Sequence, residues 1–193
     1  MENNLHNIYL FRAIEAYPWE LEKAVEALNY ALSYEPENVR ALCLMAQLQV
    51  EQLGDFELAK SYYQKALAVS LEIPNVYAEY IRFLINYGDL DEAQQLIDFA
   101  LTVKGIDKAI IMINQGFLYE VKGEFDLAEE AIKEAKLFAL NNEFFNYTDD
   151  AISRVNKKRK FVKSKEQKLE SSQKKNEVQT KTNWFQNRLN NLL

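Results

Sequence analysis

Few residues of this chain have the type and spacing that catalysis or metal binding requires. The only histidine, His6, has no cluster of cysteines or carboxylates near it in the sequence, which makes it a poor ligand or base. The only cysteine, Cys43, lies in an apolar helical segment and is interpreted as a small buried side chain. Asp149 and Asp150 point about 100° apart on a helix and fit its acidic first turn. The sequence also has no glycine-rich phosphate loop and no nucleophile elbow, so we expect a non-enzymatic protein without cofactor or metal.

The charge of the chain is divided between two regions. Residues 1–152 carry 11 Lys and Arg against 26 Asp and Glu, and residues 153–193 carry 12 against 3, so their formal charges are −15 and +9. This asymmetry predicts an acidic body followed by a basic tail. The acidic body disfavours nucleic acid as a partner, because phosphates would be repelled.

Cysteine usage and hydropathy predict a soluble, cytoplasmic protein. One cysteine allows no intramolecular disulfide, which is typical of a reducing compartment. The sequence Met1-Glu2-Asn3-Asn4 has neither the basic start nor the apolar run of a secretory signal. No stretch approaches the roughly 20 apolar residues of a membrane-spanning helix.

An internal repeat indicates the elements that must position any site. Alanines recur at steps of 35, 34 and 35 residues, each is followed by a second alanine seven residues later, and a glycine precedes three of them by five residues. The first alanines are Ala24, Ala59, Ala93 and Ala128, the second are Ala31, Ala66, Ala100 and Ala135, and the glycines are Gly54, Gly88 and Gly123. Since the chain has only 5 Gly and 3 Pro, this pattern favours long helices joined by short corners.

Each repeat is predicted to be a pair of antiparallel helices, because apolar residues recur three or four positions apart. The glycine permits a sharp turn, and the acidic residue after it (Asp55, Asp89 or Glu124) is placed to cap the second helix. The paired alanines allow a neighbouring helix to approach closely, whereas Glu92, beside Ala93, is expected to be exposed. One unit cannot bury its own apolar face, so stacked units must form the core.

These features resemble the tetratricopeptide repeat family over about residues 5–142. The fourth unit resembles it most, with Gly116 and Tyr119 in its first helix, followed by Gly123, Phe125, Ala128 and Ala135. The first unit departs from the pattern, because Trp19 replaces the turn glycine and the Tyr17-Pro18-Trp19 corner must turn differently. The resemblance implies a right-handed α-solenoid of about four helix pairs plus a capping helix.

The resemblance also implies a binding face, since the first helices of successive repeats in this family line a concave groove that receives a peptide. The residues that alignment assigns to this face are Arg40, Cys43, Gln47, Val50, Glu51, Ala78, Arg82, Ile85, Asn86, Ile113, Asn114, Phe117, Glu120 and Val121. They do not reproduce the basic clamp by which some members hold the C-terminus of heat-shock chaperones, so a co-chaperone role is disfavoured.

After the fourth unit, three segments are distinguished by composition. Residues Asn142 to Lys160 read as a capping helix that completes a solenoid of residues 1–160. Residues 161–182 lose the apolar period and are predicted to be a flexible or loosely helical basic linker. Residues 183–193 predict a short amphipathic docking helix, with Trp184, Phe185, Arg188, Leu189 and Leu192 as its contact residues.

Two functional hypotheses follow. The favoured one is a scaffold or adaptor that binds a protein or peptide in the concave groove. The alternative is a regulatory or assembly subunit of a larger complex, anchored through its basic, aromatic tail to a protein or, less favoured, to an anionic membrane. The opposite charges of body and tail also allow the tail to bind its own solenoid or a second copy, and thus to mediate self-association.

Overall fold

The computed structural model describes residues 7–71 and 73–190 as an all-α solenoid. Its helices are α1 Ile8–Ala16, α2 Leu21–Tyr34, α3 Val39–Leu48, α4 Phe56–Val69, α5 Pro74–Tyr87, α6 Leu90–Ala100, α7 Lys108–Lys122, α8 Phe125–Leu137 and α9 Asn142–Asn190. A turn of π-helix, Gln49–Leu53, continues α3. Helices α1 to α8 form four successive pairs, and α9 packs on the last pair. None of the helices within the described residues is long and apolar enough to cross a membrane.

The eight repeat alanines are packing residues, as the sequence predicts. Each has 0% of its surface exposed. Because alanine has a single methyl group, the second helix of each pair can approach its neighbours to a distance that a larger side chain would prevent. The four-unit register derived from these alanines is therefore confirmed.

The repeat glycines close three corners between paired helices. Gly54, Gly88 and Gly123 have φ of 67°, 99° and 80°, the left-handed conformation that other residues rarely adopt. A Cβ at any of the three would meet no atom within 4 Å, so the requirement for glycine is conformational rather than steric. The first unit turns differently, through a cis peptide bond between Tyr17 and Pro18.

The acidic residues after the glycines cap only one of the three following helices. The Asp55 carboxylate accepts a hydrogen bond of 3.0 Å from the backbone N–H of Leu58. Asp89 and Glu124 make no such bond. Asp89 is instead engaged by Lys60, whose ammonium lies 2.6 Å from its carboxylate. The predicted cap is confirmed at α4 and is wrong at α6 and α8.

Three apolar clusters join successive repeats into one core. Their largest fully buried members are Leu28, Met45 and Leu48 between the first two repeats, Tyr77, Ile81, Leu84 and Ile97 between the second and third, and Ile113 and Ile132 beneath α9. Ala151 and Val155 of α9 are fully buried in the last cluster. Helix α9 thus covers the apolar face that the fourth repeat cannot bury alone.

Helix α9 does not end near Lys160 as expected but continues as one helix of 49 residues to Asn190. The expectation depended on the loss of apolar period after Phe161. Periodicity reports which face is buried, whereas Lys, Glu and Gln, which dominate this stretch, are good helix formers even without a core. Neither Gly nor Pro occurs between residues 142 and 193 to break the helix. The functional division into a linker at 161–182 and a docking segment at 183–193 stays a prediction.

Candidate functional site

The candidate site is a groove of about 340 Å³ between the second repeat and α5 of the third, here called the central groove. Its walls come from α3, the π turn, α4 and α5. The residues that line it are Gln47, Val50, Glu51, Phe56, Tyr63, Glu79, Arg82, Phe83, Asn86 and Tyr87. Five of them, namely Gln47, Val50, Glu51, Arg82 and Asn86, are residues that the sequence assigns to the concave face.

The π turn shapes one side of the central groove. Turns of π-helix are rare in proteins, and those that occur often lie at functional sites, because the extra residue redirects neighbouring side chains. Here the turn contains Val50 and Glu51, both of which line the groove. The Glu51 carboxylate accepts hydrogen bonds from the Tyr17 hydroxyl of the first repeat and from the Gln47 amide, the latter at 3.0 Å. These bonds fix the position of the carboxylate at the rim.

Aromatic side chains form the opposite wall. Phe56 and Tyr87 stack with ring centroids 4.8 Å apart, and Phe83 lies 5.8 Å from Tyr87 and 5.5 Å from Tyr63. Stacked rings of this kind present a rigid apolar surface that can hold an apolar or aromatic side chain. The sequence analysis missed Phe56 and Tyr63 because alignment considered only the first helix of each repeat, and these two residues belong to the second helix. It also did not assign Phe83 and Tyr87, which lie on the first helix of the third repeat.

The groove carries both signs of charge. The guanidinium of Arg82 is exposed and forms no ion pair within the described part of the chain. Glu79 lines the groove, where partial loss of hydration raises the pKa of its carboxyl above the ordinary value. Cys43 lies close by and is buried as predicted; burial and then the Glu79 charge raise the pKa of its thiol to about 12.

Four of the predicted binding residues do not line an open surface. Ile85, Ile113, Asn114 and Glu120 are 5%, 1%, 0% and 7% exposed, respectively, so their assignment to an accessible concave wall is wrong. Each lies on a side of its helix that a neighbouring repeat or α9 covers. The Asn114 amide, for example, donates a hydrogen bond of 3.4 Å to the carbonyl of Ala78 in the preceding repeat. Arg40 is exposed on α3 but lies outside the central groove.

Helix α9 occupies the part of the predicted face that belongs to the fourth repeat. The Arg154 guanidinium donates two hydrogen bonds, of 2.9 and 2.8 Å, to the Glu120 carboxylate, and the Lys158 ammonium lies 2.7 Å from it. Burial alone would raise the pKa of Glu120, but these two cations lower it overall. Arg154 also lies 5.2 Å above the ring of Phe117, and Tyr147 meets that ring edge-on. The predicted face is therefore open around the central groove, whereas in repeat four α9 covers Phe117 and Glu120 and leaves Val121 exposed, at 56%.

The predicted docking residues of the tail are only partly described. Trp184 is 54% exposed, and the Arg188 guanidinium lies 5.3 Å from its ring centre. The side chains of Phe185 and Leu189, and the whole of Leu192, lie outside the described residues. Among the described residues, no group of three or more His, Cys, Asp or Glu is placed to hold a metal ion.

Comparisons with known proteins agree with this architecture. The family model described as a tetratricopeptide repeat matches residues 39–72, which correspond to the second repeat. No curated protein matches the sequence. Among solved structures, PilF of Pseudomonas aeruginosa is similar with a TM-score of 0.67 and 21% identity, over 83% of this chain and 72% of that one.

Two further structures show the same fold. PilW, a type IV pilus biogenesis factor, has a TM-score of 0.63 and 20% identity, over 81% of this chain and 80% of that one. MamA has a TM-score of 0.56 and 15% identity, over 79% of this chain and 91% of that one. The family model therefore identifies a tetratricopeptide repeat at residues 39–72, and the likeness to these structures shows that the whole helical array has the fold of a solenoid of such repeats.

Proposed function

We propose that this protein is a non-enzymatic scaffold that binds an extended polypeptide segment of a partner in the central groove. The observation that carries the proposal is the composition of the groove, which combines a stacked aromatic wall with side chains that can recognise a peptide. A groove that offers apolar contact area and a few directed polar groups is typical of sites that fix both affinity and orientation.

The groove chemistry indicates what the segment must contain. An apolar or aromatic side chain would pack on Phe56 and Tyr87, and the exposed Arg82 would pair with a carboxylate of the segment. The amides of Gln47 and Asn86 can both donate and accept hydrogen bonds, which suits the backbone of an extended chain. Because Glu51 is already held by Tyr17 and Gln47, it would contribute charge selectivity rather than a new structural contact.

The closure of repeat four limits where the segment can lie. Helix α9 engages Phe117 and Glu120, which in this fold would otherwise face a ligand. The binding surface is therefore concentrated on repeats two and three. The similar structure PilW is described as a type IV pilus biogenesis factor, and at 20% identity the likeness supports the scaffold fold and not that process.

Selection of peptides from a random displayed library, with the full chain as bait, tests this proposal. Selected peptides should bind the wild-type chain and lose roughly tenfold or more in affinity to Arg82→Glu and to Phe56→Ala. Matched controls are Glu130→Lys and Leu127→Ala, because both residues are exposed on α8, away from the groove. If no peptide is selected, or if the groove variants and the controls bind alike, the central groove is not the site.

A second function is favoured by a separate observation, the exposed cations of α9. Lys160, Lys163 and Lys165 are exposed, and Trp184 is exposed further along the same helix. This supports an assembly subunit anchored through α9 to an acidic protein or an anionic membrane. Co-flotation with phosphatidylserine vesicles tests the anchoring to a membrane. The full chain should float with the vesicles more than a chain cut after Thr182, and equal flotation of the two would reject membrane anchoring through the tail.

A further inference from the structure

The first repeat has a groove between its two helices, here called the end groove. In the rest of the solenoid, each repeat is covered on one side by the next repeat or by α9. In the part of the chain that the structure describes, the first repeat has a cavity of about 410 Å³ between α1 and α2, lined among others by Tyr9, Glu15, Ala27 and Tyr30. A cleft between two paired helices is the surface on which repeats of this type pack a further helix.

The end groove is lined by an aromatic pair and by charges of both signs, three carboxylates and two cations. Of the two cations, Lys23 pairs with Glu20, and the Arg12 guanidinium lies 5.7 Å from the ring centre of Tyr9. Tyr9 and Tyr30 stack with ring centroids 5.3 Å apart, and Tyr30 is 53% exposed. Glu15 and Glu26 line the groove, and neither carboxylate forms an ion pair within the described part of the chain. Such a surface suits a helix that presents an aromatic ring together with cations.

Helix α9 provides a helix of that chemistry. Trp184 and Arg188 lie one turn apart, with the guanidinium 5.3 Å from the ring centre, so they form one aromatic and cationic surface. Lys160, Lys163 and Lys165 are exposed on the same helix and form no ion pairs among the described residues. The chain beyond residue 152 is +9, whereas residues 1–152 are −15, so the charges of the two surfaces are complementary.

The geometry of α9 decides between binding within one chain and binding between two. The last cross-helix ion pairs that α9 forms with the solenoid involve Arg159, and Trp184 lies about 37 Å further along the helix axis at 1.5 Å per residue. The end groove lies at the opposite end of the stack, beyond three further repeats. Helix α9 packs on α8, and because it is unbroken it cannot fold back to the first repeat, so the contact must join two molecules.

We propose that the end groove binds the Trp184–Arg188 surface of α9 from a second copy of this chain. The contact joins two different surfaces and is therefore heterologous, so each molecule offers one helix and one groove and the assembly grows head to tail. Tyr30 contacts the tryptophan ring, and Glu15 and Glu26 pair with the cations of the incoming helix. This assembly is independent of peptide binding in the central groove.

Sedimentation velocity of the full chain over a range of concentrations tests the proposal. The wild-type chain should form dimers and larger species as concentration rises, and salt should weaken them because the ion pairs are exposed. Tyr30→Glu and Trp184→Glu should each weaken self-association roughly tenfold or more. Leu137→Glu, at a site that is 83% exposed on α8, is the matched control and should associate like the wild type.

Mixing the two variants distinguishes this arrangement from others. Tyr30→Glu retains an intact α9 and Trp184→Glu retains an intact groove, so an equimolar mixture should form a 1:1 dimer and stop there. A chain that stays monomeric at all concentrations would overturn the proposal. So would a Tyr30→Glu variant that still associates, which would indicate pairing between two α9 helices. Circular dichroism of each variant verifies that the solenoid is intact.

Discussion

Gly116 of α7 lies so close to Ile132 of α8 that a Cβ at position 116 would overlap the Cγ1 atom of that isoleucine. The same Cβ would lie 3.2 Å from the carbonyl oxygen of Ala128. Unlike the three corner glycines, Gly116 is therefore required because two helices cross in contact.

The first prediction is whether the Gly116→Ala substitution raises or lowers the free energy of unfolding. In an unpacked helix this change stabilises by up to about 1 kcal/mol, because alanine is the better helix former. Here overpacking should reverse the sign and reduce the free energy of unfolding by about 1–3 kcal/mol. Urea unfolding measures it, and the Gly116→Ala/Ile132→Ala double variant should show coupling between the two sites. A stabilised single variant would contradict the close crossing.

The second prediction tests the repeat register at the third unit. Ala93 has no exposed surface, so Ala93→Leu should overpack α6 against its neighbours and reduce the free energy of unfolding by about 1–3 kcal/mol. Glu92 is not the exposed control that the sequence suggests, because it accepts a hydrogen bond of 2.6 Å from Tyr80 and pairs with Lys60. Asp91 is exposed, and Asp91→Leu is the proper control. Equal effects in thermal unfolding would mean that the register is wrong.

The third prediction is a pH dependence at the contact of α9 with repeat four. The pKa of Glu120 is held below its ordinary value of 4.5, so its ionised form stabilises the fold above that pH and the stabilisation is lost as pH falls through the lowered pKa. Glu120→Gln should therefore reduce stability by about 1.5–3 kcal/mol at pH 7, because charge-assisted hydrogen bonds are lost.

The difference between Glu120→Gln and the wild-type chain should shrink as pH falls from 4.5 through the lowered pKa, because the carboxylate is protonated first in the unfolded chain and then in the folded chain. Unfolding by urea at several pH values measures this difference. Glu130→Gln, on the exposed side of α8, should show little change at any pH. A pH-independent difference for Glu120→Gln would show that its pairing with Arg154 and Lys158 does not form.

The fourth prediction concerns the reactivity of Cys43. Its side chain is 8% exposed and its pKa is raised to about 12, so very little thiolate is present at pH 8. Reaction with a disulfide reagent should be at least roughly ten times slower in the folded chain than in urea. Because this is the only cysteine, the absorbance of the released thiol reports one site. A rapid reaction in the folded state would mean that the wall behind the central groove opens readily.

The parts of the fold that could be predicted are those determined within one repeat. The alanine pairs and the corner glycines recur at a fixed period because each performs the same packing or turning task in every unit. The burial of Ile113, Asn114 and Glu120 could not be predicted in the same way, because it depends on the neighbouring repeat or on α9. An alignment of repeats identifies equivalent positions and not which of them a later segment will cover.

In the central groove too, some residues could be predicted from the sequence and others could not. Arg82 and Asn86 line the central groove, a position that follows from the helical register of α5, and their role in partner binding stays a prediction. Phe56 could have been recognised from its place three residues before a repeat alanine, which puts it at the start of the second helix beside the corner. The π turn at Gln49–Leu53 had no sequence signal, because a single extra residue in a helix leaves the composition unchanged.

Because α9 is continuous, the direction in which residues near its C-terminal end point around the helix axis is fixed relative to the solenoid. Each residue of an α-helix advances the side-chain direction by about 100° and the axis by about 1.5 Å, so the bearing of Trp184 is set by the number of residues between it and Val155. Two residues inserted near position 170 would turn the Trp184 face by about 200°, whereas seven would return it to within about 20° of its bearing. Helix α9 therefore fixes both the distance and the direction of Trp184 relative to the solenoid. Substitutions between Val155 and Trp184 should be tolerated more readily than insertions or deletions.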